Sequence, residues 1–298
     1  MDIDKILKAG QITKQVREYA KTIVKPKISL IELADKIEAK IFELGGKPAF
    51  PTTFGINEIA AHCTPGIDSK EKAHGLIKVD FGVHIDGWTA DNAFSVDLED
   101  SDSNKKLIKA SESALTNAIE LAKKKIESKE ELNASDLGAV IQETIESQEC
   151  NPIINLCGHN MGHYELHGGI TIPNIDDNRK FVLHDGLYAI EPFTTNGSGK
   201  VRDGKPSGIY ELRNEKQPRS QTAREVLEFI KKEYETLPFC SRWIVKSLGS
   251  KALFGLRELE ALGVIHQFDQ LVEVSNSPVA QAEHTILIEN GKVTVTDL

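Results

Sequence analysis

Five polar residues stand inside segments of this 298-residue sequence that otherwise resemble apolar strands. They are Asp80, Asp91, His159, Glu191 and Glu283. Four carboxylates and one imidazole form an oxygen-rich ligand set. It suits two hard or borderline divalent cations better than a cysteine-rich zinc site or a three-histidine site. Four carboxylates also balance the charge of two such cations, and a water bridging them can lose a proton and become a nucleophile. The set therefore predicts metal-assisted hydrolysis.

Two of these acids can be brought together by the geometry of a hairpin at Val79–Leu98. Its Asp86-Gly87 dipeptide favours a two-residue type I′ turn, which fixes the pairing of the flanking strands. In that register Asp80 and Asp91 are diagonal neighbours on one face, roughly 7–8 Å apart. Each acid also lies opposite a residue almost without a side chain, which leaves room for a cation. The alternative interpretation is an ordinary solvated hairpin face.

Three histidines recur at intervals of four in the segment NLCGHNMGHYELHGGITIP: His159, His163 and His167. On a helix this spacing would place them on one face, as in helical zinc sites. The glycines of the segment oppose a helix, because each costs about 1 kcal/mol relative to alanine. We therefore expect a glycine-bent loop that feeds a strand, in which His159 and His167 need not share a role.

The remaining two acids lie in segments that predict buried strands. Glu191 occurs in LYAIEPF, and Glu283 occurs in VAQAEHTILIENGKVTV, which should form a hairpin turned at Asn290-Gly291. A buried carboxylate without a partner would take up a proton, so each of these acids needs a partner.

Two helix pairs precede the strands and are separated by about 104 residues. The periodic apolar residues predict helices at Asp2–Val24 and Ser29–Leu44, and again at Asn104–Ile126 and Asn133–Glu149. Strands ending in an acidic segment follow each pair. The repetition predicts an α+β fold with an internal pseudo-two-fold duplication, whose sheets close around a cleft.

The composition changes between residues 198 and 263, where a Gly/Ser/Lys linker is followed by three short helical patterns. We predict a small helical insert subdomain at 198–263 and a catalytic domain formed by 1–197 and 264–298. A winged-helix DNA module is the alternative for this region. Because Ser207–His266 has ten Lys and Arg against eight Asp and Glu, the basic surface of such a module is missing.

Overall composition narrows the class of protein further. A net charge of −9 opposes a general nucleic-acid binder or a binder of anionic membranes. No apolar run approaches the ~18 residues of a membrane span, and the first residues do not resemble a signal peptide. The four cysteines lack CxxC spacing, as expected for reduced thiols. We expect a cytoplasmic protein.

The motifs that contain these residues resemble those of the type 2 methionine aminopeptidases, which have the pita-bread metallopeptidase fold. The matching segments are FPT, AAHCTP around His62, VDFGVHIDGWTADNAF, GHNMGHYELHGGITIPNI, AIEPF, TLPFCSRW in the insert, and AQAEHTILI. The resemblance covers essentially the whole chain. It is to the compact, archaeal-like members, because the sequence lacks the long charged amino-terminal extension that is typical of eukaryotic ones.

This resemblance implies removal of the N-terminal methionine from nascent proteins and peptides with a small second residue. It also implies two divalent metal ions, which could be Co, Mn, Fe or Zn. The implied metal ligands are Asp80, Asp91, His159, Glu191 and Glu283, with Asp91 and Glu283 bridging. His62 and His167 would bind substrate and stabilise the tetrahedral intermediate, and Glu191 would also move protons. The implied residues near the methionine side chain are Phe50, Leu166, Phe193 and Phe268. His163 is not part of the family pattern.

Two alternatives share the same fold. X-Pro aminopeptidases and prolidases use the same set of five metal ligands, but the insert and the AAHCTP segment argue against this assignment. A non-catalytic pita-bread binding protein would have lost metal ligands, whereas all five remain here. The expected partners are peptides or nascent chains, with the ribosome as a further candidate. Neither a membrane nor a specific nucleic acid is expected, and the protein should be a monomer.

Overall fold

The computed structural model describes residues 1–214 and 216–298. The helices are α1 (Ile3–Ile23), α2 (Leu30–Glu43), α3 (Asp102–Glu127), α4 (Ala134–Glu146), α5 (Gln221–Glu233), α6 (Ser241–Leu248) and α7 (Ala252–Ala261). The strands of the first half are β1 (Lys47–Pro48), β2 (Thr53–Ile56), β3 (Ile59–Ala61), β4 (Leu76–Ile85) and β5 (Trp88–Asp97). The later strands are β6 (Asn151–Pro152), β7 (Cys157–Met161), β8 (Thr171–Pro173), β9 (Gly186–Ile190), β10 (Phe193–Thr195), β11 (Val201–Leu212), β12 (Phe239–Cys240), β13 (Ile265–Glu273), β14 (Val279–Gln281), β15 (His284–Glu289) and β16 (Lys292–Val295).

In the first half, α1 and α2 cover a four-stranded sheet in which β4 pairs with β1, β2 and β5. The apolar stripes of the helices meet the sheet in one core, where Val16, Leu33 and Ile37 pack with Val79 and Phe81. Burying one apolar stripe of each helix against a sheet face is what makes these amphipathic sequences helical in the folded chain.

The β4–β5 hairpin has the predicted turn and register. Asp86 has φ 46° and Gly87 has φ 82°, the two left-handed conformations that a type I′ turn requires. Ile85 is paired with Trp88 as a result.

The second half repeats this arrangement. Helices α3 and α4 pack on a five-stranded sheet in the order β16-β15-β9-β7-β8 and on the three-stranded sheet β14-β10-β6. Leu30 and Ala134, which begin α2 and α4, are 104 positions apart, and the same offset separates Lys47–Pro48 from Asn151–Pro152. The predicted α+β duplication is therefore confirmed.

Helices α5, α6 and α7 enclose a separate apolar core with β11, β12 and β13. The segment expected to be a Gly/Ser/Lys linker is instead part of β11, a 12-residue strand. It is a strand because it pairs with β13, which also pairs with β3 of the first half. This pairing joins the region of α5, α6 and α7 to the rest of the protein through a continuous sheet.

Within residues 1–214 and 216–298, we find no helix that combines the length and the apolar character that crossing a membrane demands.

Candidate metal centre and substrate cavity

Asp80 and Asp91 come from the two strands of the β4–β5 hairpin. Asp80 is paired with Ala93 and Asp91 with Gly82, so the register predicted from the turn is confirmed. A methyl group at Gly82 would lie 2.5 Å from a carbon of the Phe50 ring. Glycine at this position therefore leaves space beside the acids and lets the aromatic wall of the cavity approach.

His159 lies in β7, where it is paired with Ala189 of β9. The three histidines do not form a helix, and a loop that contains His163 and His167 leads to β8 as expected, but His159 lies in a strand before that loop and not in the loop itself. Glu191 follows β9 directly. The expectation that one strand runs through LYAIEPF is wrong, because β9 ends at Ile190 and the next residue but one is Pro192, which has no N–H to donate to a ladder.

Glu283 also lies just outside a strand, immediately before β15. The pairing of His284 with Ile190 places Glu283 beside the end of β9 and hence near Glu191. The Glu283 N–H donates to the Ala93 carbonyl at 3.0 Å, and this hydrogen bond brings the second half of the chain against the hairpin of the first.

The five predicted residues converge at this junction. His159 Nε2 lies 3.7 Å from Asp91 Oδ2 and 3.6 Å from Glu191 Oε1. Potential ligand atoms of Asp91, His159 and Glu283 all lie within 4.8 Å of one another. Asp80 joins through Gln281, whose Nε2 donates to Asp80 Oδ2 at 3.3 Å and to Glu191 Oε2 at 3.4 Å.

Burial and mutual repulsion raise the pKa values of the four carboxyl groups. Burial raises the pKa of Asp80 to about 7, although the hydrogen bond from Gln281 opposes the shift. Burial, followed by the charge of Asp80, raises the pKa of Asp91 well above its ordinary value. Burial and the neighbouring acids, Asp91 first among them, do the same to the pKa values of Glu191 and Glu283. Four acids in such a place require compensating positive charge to remain ionised at neutral pH.

The residues fit a divalent cation by a second criterion, which is unmet hydrogen-bonding capacity. The Oδ1 atoms of Asp80 and Asp91 are buried and have no hydrogen-bond partner among the described residues. Buried carboxylate oxygens normally have a partner, so these two atoms lack an electrophile that a metal would supply. Burial lowers the pKa of His159 to about 4, so its ring is neutral at pH 7 and has a lone pair to offer.

His62 and His167 approach the same cavity from other segments. The His167 ring lies 4.5 Å from the His159 ring in an edge-on arrangement, and the His62 ring lies 5.3 Å from that of Phe268. His62 has a φ of 56°, a strained conformation for a non-glycine residue of the kind often found at functional sites. Desolvation lowers the pKa of both rings, that of His167 to about 3, although His167 as a residue is exposed.

The cavity beside the acids has a volume of about 330 Å³. All of the sequence-predicted site residues line it: Phe50, His62, Asp80, Asp91, His159, Leu166, His167, Glu191, Phe193, Phe268 and Glu283. The four apolar members among them form walls next to the charged floor. The structure thus brings together every predicted site residue.

Several residues that line the cavity were not predicted from the sequence. Ile209 and Pro238 reach the cavity from the insert, and Cys157 and Leu271 complete its wall. Gln281, which bonds Asp80 and Glu191, was not predicted either, although it is a polar residue two positions before Glu283 in an otherwise apolar segment and could have been found by that signal.

His163, which had no predicted role, is not among the residues that line this cavity. Its Nε2 lies 2.9 Å from the Asp86 carbonyl oxygen, and its ring lies 5.2 Å from that of Trp88. It therefore contacts the tip of the β4–β5 hairpin.

Comparison with known proteins gives the family. Metallopeptidase family M24 matches residues 4–290 of the chain. The methionine aminopeptidase of Pyrococcus horikoshii is 44% identical over 304 residues, covering 99% of this chain and 99% of that protein.

Two solved structures share the fold at lower identity. A thermophilic Arx1 aligns with a TM-score of 0.81 at 18% identity, covering 99% of this chain and 91% of that one. The methionine aminopeptidase of Thermotoga maritima aligns with a TM-score of 0.69 at 22% identity, covering 99% and 96%. With the family match over nearly its whole length and the 44% identical relative, the chain belongs to metallopeptidase family M24 and, within it, to the methionine aminopeptidases of the pita-bread fold.

Proposed function

We propose that the protein removes the N-terminal methionine from peptides and nascent proteins whose second residue is small. As a member of its family it is a hydrolase that uses a divalent metal. The observation that carries the proposal is the convergence of four buried or half-buried carboxylates and one neutral imidazole beside a largely apolar cavity of about 330 Å³.

Asp80, Asp91, His159, Glu191 and Glu283 would hold two divalent ions, with Asp91 and Glu283 shared between them. Four carboxylates neutralise two such ions, and a single ion would leave two acids uncompensated in a buried site. The bound pair would supply Lewis acidity and a water of lowered pKa. Mixed oxygen and nitrogen ligands suit Mn, Fe, Co and Zn alike, so all four metals are candidates.

The protein's own side chains would perform the remaining steps. His62 and His167 are neutral at pH 7 because their pKa values are lowered, so either ring can donate a hydrogen bond to the substrate carbonyl oxygen as negative charge develops there. Glu191, which lines the cavity, would take a proton from the attacking water and pass it to the leaving amine.

Phe50, Leu166, Phe193 and Phe268 would form the methionine pocket. Leu166 and Phe193 are almost fully buried, so this part of the wall is preformed and apolar. An unbranched thioether side chain suits such a wall. The limited volume favours Gly, Ala, Ser or Pro as the second residue of the substrate.

Peptide hydrolysis in the presence of Mn, Fe, Co or Zn tests the proposal. Peptides that begin Met-Ala and Met-Pro should release methionine, while Met-Lys and Met-Phe peptides should not. Ala-Pro peptides are the matched control for the prolidase-type alternative, which the named relatives do not favour. Faster cleavage of Ala-Pro than of Met-Ala peptides, or rapid release of methionine from Met-Lys peptides, would contradict the proposal.

We also propose that residues 1–197 and 264–298 form the catalytic domain and that residues 198–263 form an insert subdomain. Its support is the separate apolar core of α5, α6 and α7. We propose that the protein acts in the cytoplasm as a monomer. Its substrates would be free peptides or newly made chains, and the ribosome is a candidate partner. Size-exclusion chromatography tests the monomer, and ribosome co-sedimentation tests the partner.

A further inference from the structure

Behind the candidate metal centre lies a buried carboxylate that none of the assignments above uses. Asp297 follows β16 and is 1% exposed. Its Oδ2 accepts hydrogen bonds from Asn92 Nδ2 at 2.6 Å and from His284 Nδ1 at 3.0 Å. Its Oδ1 accepts from the Thr285 N–H at 3.3 Å. Three buried donors on two other strands therefore meet one side chain.

These donors stand next to the two acids at the centre of the site. Asn92 directly follows Asp91, and His284 and Thr285 directly follow Glu283. Strand β5 and strand β15 belong to different sheets, so no backbone ladder sets the distance between them.

One backbone hydrogen bond, from the Glu283 N–H to the Ala93 carbonyl, joins the two regions, and side chains make the other connections. Thr285 Oγ1 accepts from the Asp91 N–H at 2.7 Å and donates to the Asp91 carbonyl at 2.9 Å. Asn92 Nδ2 also donates to the Glu283 carbonyl at 3.0 Å. The cross-links thus run between the backbones of the two acids.

The position of Asp297 is itself fixed from the far side by α1. A Cβ atom at Gly10 would lie 2.0 Å from the Thr296 carbonyl oxygen, so only glycine allows the helix to approach so closely. The Thr296 N–H in turn donates to the Thr285 carbonyl at 2.9 Å. The helix therefore holds the backbone next to Asp297 against β15.

We propose that Asp297 is a positioning residue of the metal centre, which sets the separation of Asp91 and Glu283 by holding Asn92, His284 and Thr285. The inference rests on the proposed function, because it assigns Asp91 and Glu283 as ligands. Residues that orient ligands in this way typically change metal affinity or activity by about 10–100-fold when they are removed.

Titration calorimetry of the metal-free protein with Mn²⁺ tests the assignment. Asp297→Ala should weaken binding by about 10–100-fold. Asp297→Asn keeps an acceptor for two of the three donors, so it should have an intermediate effect. Gly10→Ala, a change on α1 against Thr296, should act in the same direction as Asp297→Ala, even though alanine favours the helix. With a Met-Ala peptide the variants should lower kcat and leave KM within about twofold, because the methionine pocket is untouched.

Glu273→Gln is the matched control. Glu273 is another fully buried carboxylate with several donors, among them the N–H and hydroxyl of Ser198, but it does not line the cavity. Its variant should lose thermal stability and bind Mn²⁺ as the wild type does. Wild-type affinity in Asp297→Ala, or an equal loss of affinity in Glu273→Gln, would overturn the assignment.

Hydrogen exchange of the metal-free protein separates this inference from the proposed function. Asp297→Ala should accelerate exchange of the Asp91 and Thr285 amides, and Glu273→Gln should not. If the wild type neither binds metal nor cleaves peptides, the proposed function fails, yet faster exchange at these amides still supports the positioning of the two strands. Unchanged exchange at both amides in Asp297→Ala overturns the inference whatever the wild type binds.

Discussion

His62 and His167 differ from the five candidate ligands in what surrounds them. His159 faces two carboxylates, whereas His62 packs on Phe268 and His167 packs on the His159 ring. We predict that His62→Ala and His167→Ala each lower kcat/KM by about 10²–10⁴-fold, as expected for loss of a group that stabilises the transition state. Metal content, measured by atomic emission, should be unchanged. A variant that loses one equivalent of metal would identify that histidine as a ligand.

Asp91 has a central place among the acids, because after burial its charge is the largest cause of the raised pKa values of both Glu191 and Glu283. Asp91→Asn should abolish turnover and weaken the binding of both metal ions, because an amide is a poorer ligand and carries no charge. Calorimetric titration and a peptide assay measure the two effects. Two normal metal equivalents with a tenth of wild-type activity would show that Asp91 is not shared between ions.

Asp86→Asn is the matched control on the same hairpin. Asp86 is exposed in the turn, and Asn-Gly favours the same type I′ geometry as Asp-Gly. The variant should therefore keep the register, the metal content and the activity.

At the scale of elements, the sequence predicts well where local chemistry decides the geometry. A two-residue turn fixes the register of β4 and β5, and so the meeting of Asp80 with Asp91 could be predicted. The pairing of β11 with β13 could not, because β11 is polar and gains its strand conformation from a partner some 60 residues later. The end of β9 at Ile190, just before Glu191, was predictable in principle from Pro192.

The contact of the insert with the first half is another feature that no local pattern reveals. Arg242 of α6 is fully buried and forms two hydrogen bonds of 2.7 Å with the Glu38 carboxylate of α2. Its Nε donates to the Pro65 carbonyl, in the loop that carries His62. This buried pair joins the insert to α2 and to the substrate side of the cavity.

We predict that Arg242→Met lowers the free energy of unfolding by about 3–5 kcal/mol, because it leaves the Glu38 charge buried without its partner. Denaturant unfolding measures the loss. The double variant Glu38→Gln, Arg242→Met removes both charges and should recover part of that stability. If the double variant is less stable than Arg242→Met by the full loss that Glu38→Gln causes on its own, the two side chains act independently.

At the scale of the molecule, the site lies where the two halves meet. Asp80 and Asp91 come from the first half, and His159, Glu191 and Glu283 come from the second. The sequence could identify all five as polar residues out of place in apolar segments. It could not give their distances, because the hydrogen bonds between β5 and the residues around β15 join positions about 190 apart.

The convergence of acids implies a specific pH dependence of stability. In the folded metal-free chain the pKa of Asp80 is raised by burial to about 7, and burial raises the pKa values of Asp91, Glu191 and Glu283 well above their ordinary values. In the unfolded chain such acids ionise near pH 4. Between about pH 6.5 and 8 the folded chain therefore binds more protons than the unfolded chain. For each extra proton, the free energy of unfolding falls by about 1.4 kcal/mol per unit of rising pH.

Other groups titrate with the opposite sign or in other ranges. Burial lowers the pKa values of His159 and His84 to about 4. The unfolded histidines bind protons below about pH 6.5 and the folded ones do not, so these groups raise the stability as the pH rises, mainly below pH 6.5. Burial also lowers the pKa of Lys78 to about 7. Lys78 and His84 are outside the ligand set, so their contributions should largely cancel when metal-free and metal-loaded protein are compared at the same pH.

We therefore predict that the gap in melting temperature between metal-loaded and metal-free protein widens from pH 6.5 to pH 8. Metal-free protein loses stability as its acids ionise, whereas the metal-loaded protein has ionised ligands in both states and binds metal more tightly as protons leave. Calorimetric melting with saturating Mn²⁺ and with chelator measures the gap. The double variant Asp80→Asn, Glu283→Gln removes two of the four charges, so its gap should be smaller and less dependent on pH. A gap that is constant with pH in the wild type, or unchanged in the double variant, would show that these carboxylates do not share one metal centre.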